Sequence, residues 1–403
     1  MKVTNRTKFD YNIILVFSLS FAIGILWLLL FVPHFGASID IDFIERYEPI
    51  SLNILNDGEF SIIKGEPTAR VSPLYPSLIA FVYYVFGQSV IVARLMNILF
   101  NSLSCTLMYL LIKQIVNRRV GFWASLVLCV YPVFIFQLNI RSPETLFTFL
   151  FLLFVLLLYT AETQKKILLY SLAGLILGLT VLCKAVIIIL PFILLIMFLA
   201  NFIKDRTCSL RGPALFIVFF FIVVSPWVVR NYIVFNEFIP VQVSGGRHFF
   251  LGTSRKTIIA QGSEAKTQAI LQERLEYNLM GDDVTDEMYG TIAIRRIKDN
   301  PVDYIKLMPL KIINFLGGTV SGKWDFILIP MQCCLFFLAL IGNFFMMKRN
   351  NFGGFFLVTI FYFILIHILG YPLARYSTPI VPLFFLLATY CFVVLYRKHC
   401  KKE

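Results

Sequence analysis

Charged residues are scarce in this sequence: Asp, Glu, Lys and Arg make up 15% of its 403 residues, where a soluble globular domain carries about 25%. That shortage excludes a water-soluble enzyme folded around one buried core. With 59% hydrophobic residues, 42 phenylalanines and a mean hydropathy of +0.80, apolar side chains must face lipid as well as one another. Histidine is nearly missing. The four present, His34, His248, His367 and His399, show no HExxH or other ligand spacing, so a histidine-held metal is not expected. None of the eight cysteines falls in a long hydrophilic stretch, which removes any implied disulfide framework. Cys333 and Cys334 adjoin in an apolar run, which is not metal-ligand spacing. Internal repeats and low-complexity segments are also lacking.

What is present is a succession of apolar runs of bilayer-spanning length, about 20 residues each. They lie near residues 12–32, 89–112, 120–137, 145–161, 167–183, 185–203, 213–230, 326–347, 354–370 and 376–396, and predict an all-α polytopic membrane protein of about ten transmembrane helices. The first run lacks a small-residue cleavage site and is long enough to span, so it reads as helix one rather than a signal peptide. With a cytoplasmic N-terminus, the cytoplasmic tails and turns hold 17 of the 36 Lys/Arg and only 4 of the 23 Asp/Glu, which accounts for the whole net charge of +13. The positive-inside rule then places both termini in the cytoplasm. It also removes the motive for nucleic acid as a partner and leaves membrane lipids as neighbours of the basic tail.

Two hydrophilic stretches, 33–88 and 231–325, fall outside. The first contains LYPSLIAFVYYVFG, an amphipathic and aromatic segment that predicts an interfacial helix. The second shows helical patterns around Glu264–Leu279 and Asp286–Asp299, with a break at Pro301. The chain therefore divides into a transmembrane module, 1–230, that includes external loop 33–88; an external loop with short helices, 231–325; and C-terminal transmembrane helices, 326–403.

Ionisable residues at outer helix ends are disfavoured by topology unless something needs them. Asp40 and Asp42 alternate in SIDID, which puts both on one side of an extended segment and one of them in position to act as a base; a solvated loop acid or helix cap is the alternative. Lys184 stands alone between two apolar runs and needs an anion or water, unless it simply snorkels. Arg70, Arg230, Arg247 and Arg375 come out on the same face, and Glu144 begins a span, where the helix dipole favours a carboxylate. Several cations on one face suggest an anionic lipid headgroup.

The strings DFIERYEPISLNILNDGEFSIIKGEPTARVSPLYPSLIAFVYYVFGQS, ARLMN, SPETLF, LAGLILGLTVLCK and SPWVVRNYIVFNEFIPVQVSGGRHFFLGT, in that order over roughly residues 35–255, resemble the bacterial GT-C glycosyltransferases, the membrane enzymes grouped with protein O-mannosyltransferases and the aminoarabinose transferase of lipid A. The resemblance implies a GT-C-like bundle in the bacterial cytoplasmic membrane with an extracytoplasmic active site and a polyprenyl-phosphate-linked sugar as donor. The acceptor is lipid-, glycan- or protein-bound. It implies Asp42 as catalytic base, with Asp40 the second choice, and Arg70 in the segment that closes over the donor. Lys184, Arg230, Arg247 and Arg375 are candidates for the donor phosphate by position, and Tyr75, Glu144 and Tyr376 are expected at the substrate pocket. No cofactor is required, although a divalent cation on the external acids would fit the chemistry. One base suffices because phosphate is a good leaving group, and direct displacement inverts the anomeric carbon. The alternatives are a transporter or flippase of a lipid-linked saccharide, and a ligase or polymerase that moves a whole glycan.

Overall fold

The computed structural model describes residues 10–31, 41–205, 209–260, 263–279, 284–317, 324–349 and 352–400. Helix α1 (Tyr11–Leu30) starts at Asp10, whose side chain accepts from the Asn12 N–H. A π-helical turn, Phe43–Tyr47, runs into α2 (Glu48–Asp57), which stops at Gly58 in the left-handed region at φ 71. Next come α3 (Leu74–Phe86), α4 (Val90–Ile115), capped by the Ser89 hydroxyl, and α5 (Arg118–Cys129), capped by Asn117. Pro132 opens α6 (Pro132–Phe136) and cannot donate to the preceding turn, so the α5–α6 pair is bent by 50°. Helices α7 (Glu144–Gln164), α8 (Ile167–Cys183), α9 (Leu190–Lys204) and α10 (Arg211–Phe235) then cross the bundle alternately. Five shorter helices follow: α11 (Gly245–Thr253), α12 (Arg255–Ile259), α13 (Ser263–Glu276), α14 (Asp286–Asp299) and α15 (Pro301–Leu316). The bundle closes with α16 (Asp325–Met347), α17 (Phe352–Leu369) and α18 (Val381–His399).

Each of the ten apolar runs forms a helix. Among the described residues eight are long and apolar enough to cross a membrane; α5 and α6 qualify only as a bent pair, and α8, at 17 residues, is a shorter apolar helix. Helix α7 is central, with 78% of its spanning window buried, whereas α1 buries 17% and lies at the periphery. Lipid supplies no hydrophobic force between helices, so close packing has to hold them together. Gly174 and Gly178 of α8 provide it: a Cβ on Gly174 would lie 2.0 Å from the Phe216 carbonyl oxygen of α10. Phenylalanines fill the centre, as where Phe151 of α7 meets Phe363 of α17 at 5.4 Å between rings.

The segments between the apolar runs, 41–86 and 236–317, are more helical than their sequence patterns indicate. The expected helices around 264–279 and 286–299 are α13 and α14, while α2, α11, α12 and α15 have no counterpart in the sequence reading. A second small core, built on Phe250, Leu251, Ile258, Leu279, Tyr289, Ala293 and Tyr371, holds this part together. The expected amphipathic helix is α3, which buries Tyr75, Ile79 and Tyr83 and exposes Phe81, Tyr84 and Phe86. Antiparallel connection brings the start of α7, the end of α8 and the turn between α17 and α18 to one end of the bundle, beside these short helices.

Candidate functional site

Four separate segments meet at that end. Asp42 precedes the π-helical turn with helical backbone angles (φ −60, ψ −34) rather than the extended conformation expected of SIDID. The helical conformation has a local cause: it brings Arg46 one turn onward, with its Nη1 3.5 Å from Asp42 Oδ1. Asp42 Oδ2 accepts a hydrogen bond from Arg375 Nη2 at 2.7 Å. Arg375 belongs to the short turn Ala374–Tyr376, and its Nε lies 3.7 Å from Glu144 Oε1. Glu144, the first residue of α7, has a side chain only 2% exposed and accepts from Lys184 Nζ at 3.0 Å. Lys184, just past α8, holds its ammonium 3.9 Å from the centre of the Tyr376 ring, a cation–π contact. Asp40 lies outside the described residues.

Two carboxylates thus serve three cations, and Arg247 adds a fourth nearby. The cluster carries net positive charge, so an incoming anion is favoured. Burial alone would raise the Asp42 carboxyl, yet Arg375 and Arg46 hold it below the usual carboxylate range. The start of α11, which carries Arg247 and His248, is pinned by Asp286, whose carboxylate oxygens accept from the Gly246 and Arg247 N–H groups at 2.7 and 2.9 Å. Desolvation in the cleft, reinforced by Lys184 and Arg247, pushes His248 down to about 4, so its imidazole is neutral at neutral pH. Its ring lies 6.3 Å from that of Tyr376. Burial and the neighbouring Glu144 and Asp42 raise the Tyr47 phenol, which therefore stays protonated. Tyr47 stacks edge-on against buried Tyr75 at 5.2 Å.

The remaining expected residues sit elsewhere. Arg70 is exposed on the 58–73 loop, its backbone N–H held by Thr68 Oγ1. The Arg230 guanidinium donates to the carbonyls of Thr68 (3.0 Å) and Phe60 (3.3 Å) and to Asn231 Oδ1 (3.1 Å), and it packs over the Trp227 ring at 4.8 Å. Among the described residues no group of three or more His, Cys, Asp or Glu side chains is placed to hold a metal ion. The two guanidinium groups on Asp42 also oppose a divalent cation at the same oxygens. Arg46, Tyr47 and His248 are additions that the sequence reading did not single out. The i, i+4 spacing of Asp42 and Arg46 was the available signal, legible only if the segment is taken as helical.

Residues 70–229 match the family described as dolichyl-phosphate-mannose-protein mannosyltransferase. Among solved structures, the fold is similar to the archaeal oligosaccharyltransferase AglB from Archaeoglobus fulgidus, determined in complex with an inhibitory peptide and a dolichol-phosphate, with a TM-score of 0.56 and 15% identity over 96% of this chain and 51% of that one. ArnT from Cupriavidus metallidurans bound to undecaprenyl phosphate matches at a TM-score of 0.44 and 12% identity over 94% of this chain and 77% of that one. An uncharacterized protein of Aquifex aeolicus is 30% identical over 141 residues, 34% of this chain and 28% of its own length. The chain spans about half the length of the oligosaccharyltransferase and less than a third of the Aquifex protein. The match over residues 70–229 and the fold shared with the oligosaccharyltransferase agree with the GT-C resemblance carried by the sequence.

Proposed function

We propose that the protein is an inverting glycosyltransferase that moves a sugar from a polyprenyl-phosphate donor to a nucleophile on its acceptor, on the extracytoplasmic face of a bacterial cytoplasmic membrane. The observation that carries this reading is the Asp42–Arg375–Glu144–Lys184 chain, which joins an accessible carboxylate to cations fixed by a buried acid. In it, the donor phosphate takes Lys184 and Arg375, with Arg247 close by. Its arrival competes for Arg375 and frees Asp42 Oδ2. The acceptor oxygen attacks the anomeric carbon and gives its proton to Asp42 as the sugar–phosphate bond breaks. The departing polyprenyl phosphate keeps the bond electrons and is stabilised by the cations. Glu144 does not touch substrate in this scheme; it keeps Lys184 and Arg375 in place. Tyr75 and Tyr376 wall the pocket.

The test is release of free polyprenyl phosphate from short-chain polyprenyl-phosphate sugars by the protein in nanodiscs, for wild type and Asp42→Asn. Loss of about 10²–10⁴-fold in kcat with unchanged donor KM is expected for removal of the base. Because Arg375 and Arg46 hold Asp42 of the free protein below the ordinary Asp value of about 3.9, wild-type kcat/KM, which reports the free protein, should persist as pH falls through the ordinary carboxylate range and fade only below it. Full turnover in Asp42→Asn would sink the assignment; movement of intact lipid-linked sugar across the bilayer without release would favour transport.

A further inference from the structure

At the end of the bundle opposite Asp42, a groove opens between α7, α9 and α17 with a volume of about 370 Å³, within the range of about 300–1,000 Å³ typical of small-ligand sites. Its floor is apolar and its rim is polar. Leu158, Leu194, Phe352 and Phe355, all at most 8% exposed, form the floor with Met197, while Lys165 and Arg349 stand at the rim. Among the described residues that line the groove the one acid is already satisfied: Glu162 accepts from Lys165 Nζ at 3.0 Å and from the Tyr170 hydroxyl at 2.8 Å. Lys165 retains two ammonium donors, on a side chain 71% exposed. Among the described residues the rim thus has a surplus of one positive charge, and α17 begins beside it, with N-terminal N–H groups that also favour an anion.

The groove exists because α9 stands away from its neighbours. Only 22% of the spanning window that contains α9 is buried, against 78% for α7. A Cβ placed on Gly354 of α17 would find Met197 Cε at 4.0 Å as its nearest neighbour across the gap. An apolar floor formed by helices of spanning length under a cationic rim matches an amphiphile better than a free soluble anion, and the rim favours a net anionic headgroup over a zwitterionic one. We infer that this groove holds one phospholipid with an anionic headgroup, its acyl chain between α9 and α17 and its phosphate at Lys165 and Arg349. The site is separate from the Asp42 cluster and does not depend on sugar transfer.

Native mass spectrometry of the full chain, exchanged into detergent with equal amounts of phosphatidylglycerol and phosphatidylcholine, tests it. One phosphatidylglycerol should be retained in preference, and Lys165→Gln with Arg349→Gln should lower that preference about fivefold for each cation removed. Met197→Trp, which fills the floor and leaves the charges, should lose the bound lipid. The double variant alters only the rim, so it keeps the test alive if Met197→Trp fails to fold. Equal retention of the two lipids by wild type, or an unchanged preference in the double variant, would overturn the proposal. So would displacement of the lipid by millimolar glycerol phosphate, which would identify the ligand as a free phosphate ester.

Discussion

Each end of the bundle carries a cluster of ion pairs, and the two are built differently. At the end away from the candidate site, a single acid is saturated: Asp10 accepts from the Tyr109 hydroxyl at 2.5 Å and from Lys113 at 2.6 Å, and it pairs with Arg118 at 3.0 Å, on a side chain 11% exposed. At the other end two acids share their cations over 2.7–3.7 Å, and the Asp42 side chain remains 38% exposed toward the cleft. A saturated acid fastens helices; here it ties peripheral α1 to α4 and α5. An acid whose partners are shared can exchange them for a substrate. Saturation, rather than residue type, separates the fastener from the working group.

Glu144→Gln should break this comparison most severely. Removing the buried carboxylate leaves Lys184 and Arg375 without their common counter-charge, and breaking one side of a buried pair costs about 3–5 kcal/mol. Both cations keep partial exposure, so the low end is expected, read as a fall in the thermal unfolding midpoint in detergent. Donor turnover should fall with it, because the phosphate-binding cations lose their position. Asp10→Asn comes next, at about 2 kcal/mol for the loss of charge-assisted hydrogen bonds, with turnover per folded molecule unchanged. If Asp10→Asn also abolished turnover, or Glu144→Gln left both quantities intact, the division between fastener and working end would not stand.

Much of this was legible from the residues. Spanning helices are set by runs of apolar residues, a local property, and all ten runs are helical. Charge at span ends drew attention to Asp42, Glu144, Lys184 and Arg375, because unneeded charge is costly there. Partnerships were not legible: Asp42 and Arg375 are 333 positions apart, and only the folded bundle joins them. The short helices were hidden for a different reason. In α11, GGRHFFLGT, two glycines and no helical period precede the apolar residues, and the helix is fixed instead by Asp286 from α14. Arg230 shows the limit of position as a guide, since an arginine at a helix end is accommodated equally well by holding protein as by holding a ligand.

The smallest effect sharpens that last distinction. Arg230 spends its donors on the carbonyls of the 58–68 loop and on Asn231, and its plane lies among Phe60, Trp227 and Phe235. If it works as a brace, Arg230→Gln should lower stability by about 1 kcal/mol and leave the donor KM unchanged. Arg230→Lys should do little better, because a point charge reproduces neither the fork of donors nor the stacking. If Arg230 instead meets the donor phosphate, Arg230→Lys should recover most of what Arg230→Gln loses, and the loss should appear in KM rather than in the unfolding midpoint. Measuring both quantities for both variants separates a residue that shapes the cleft's outer wall from one that binds within it.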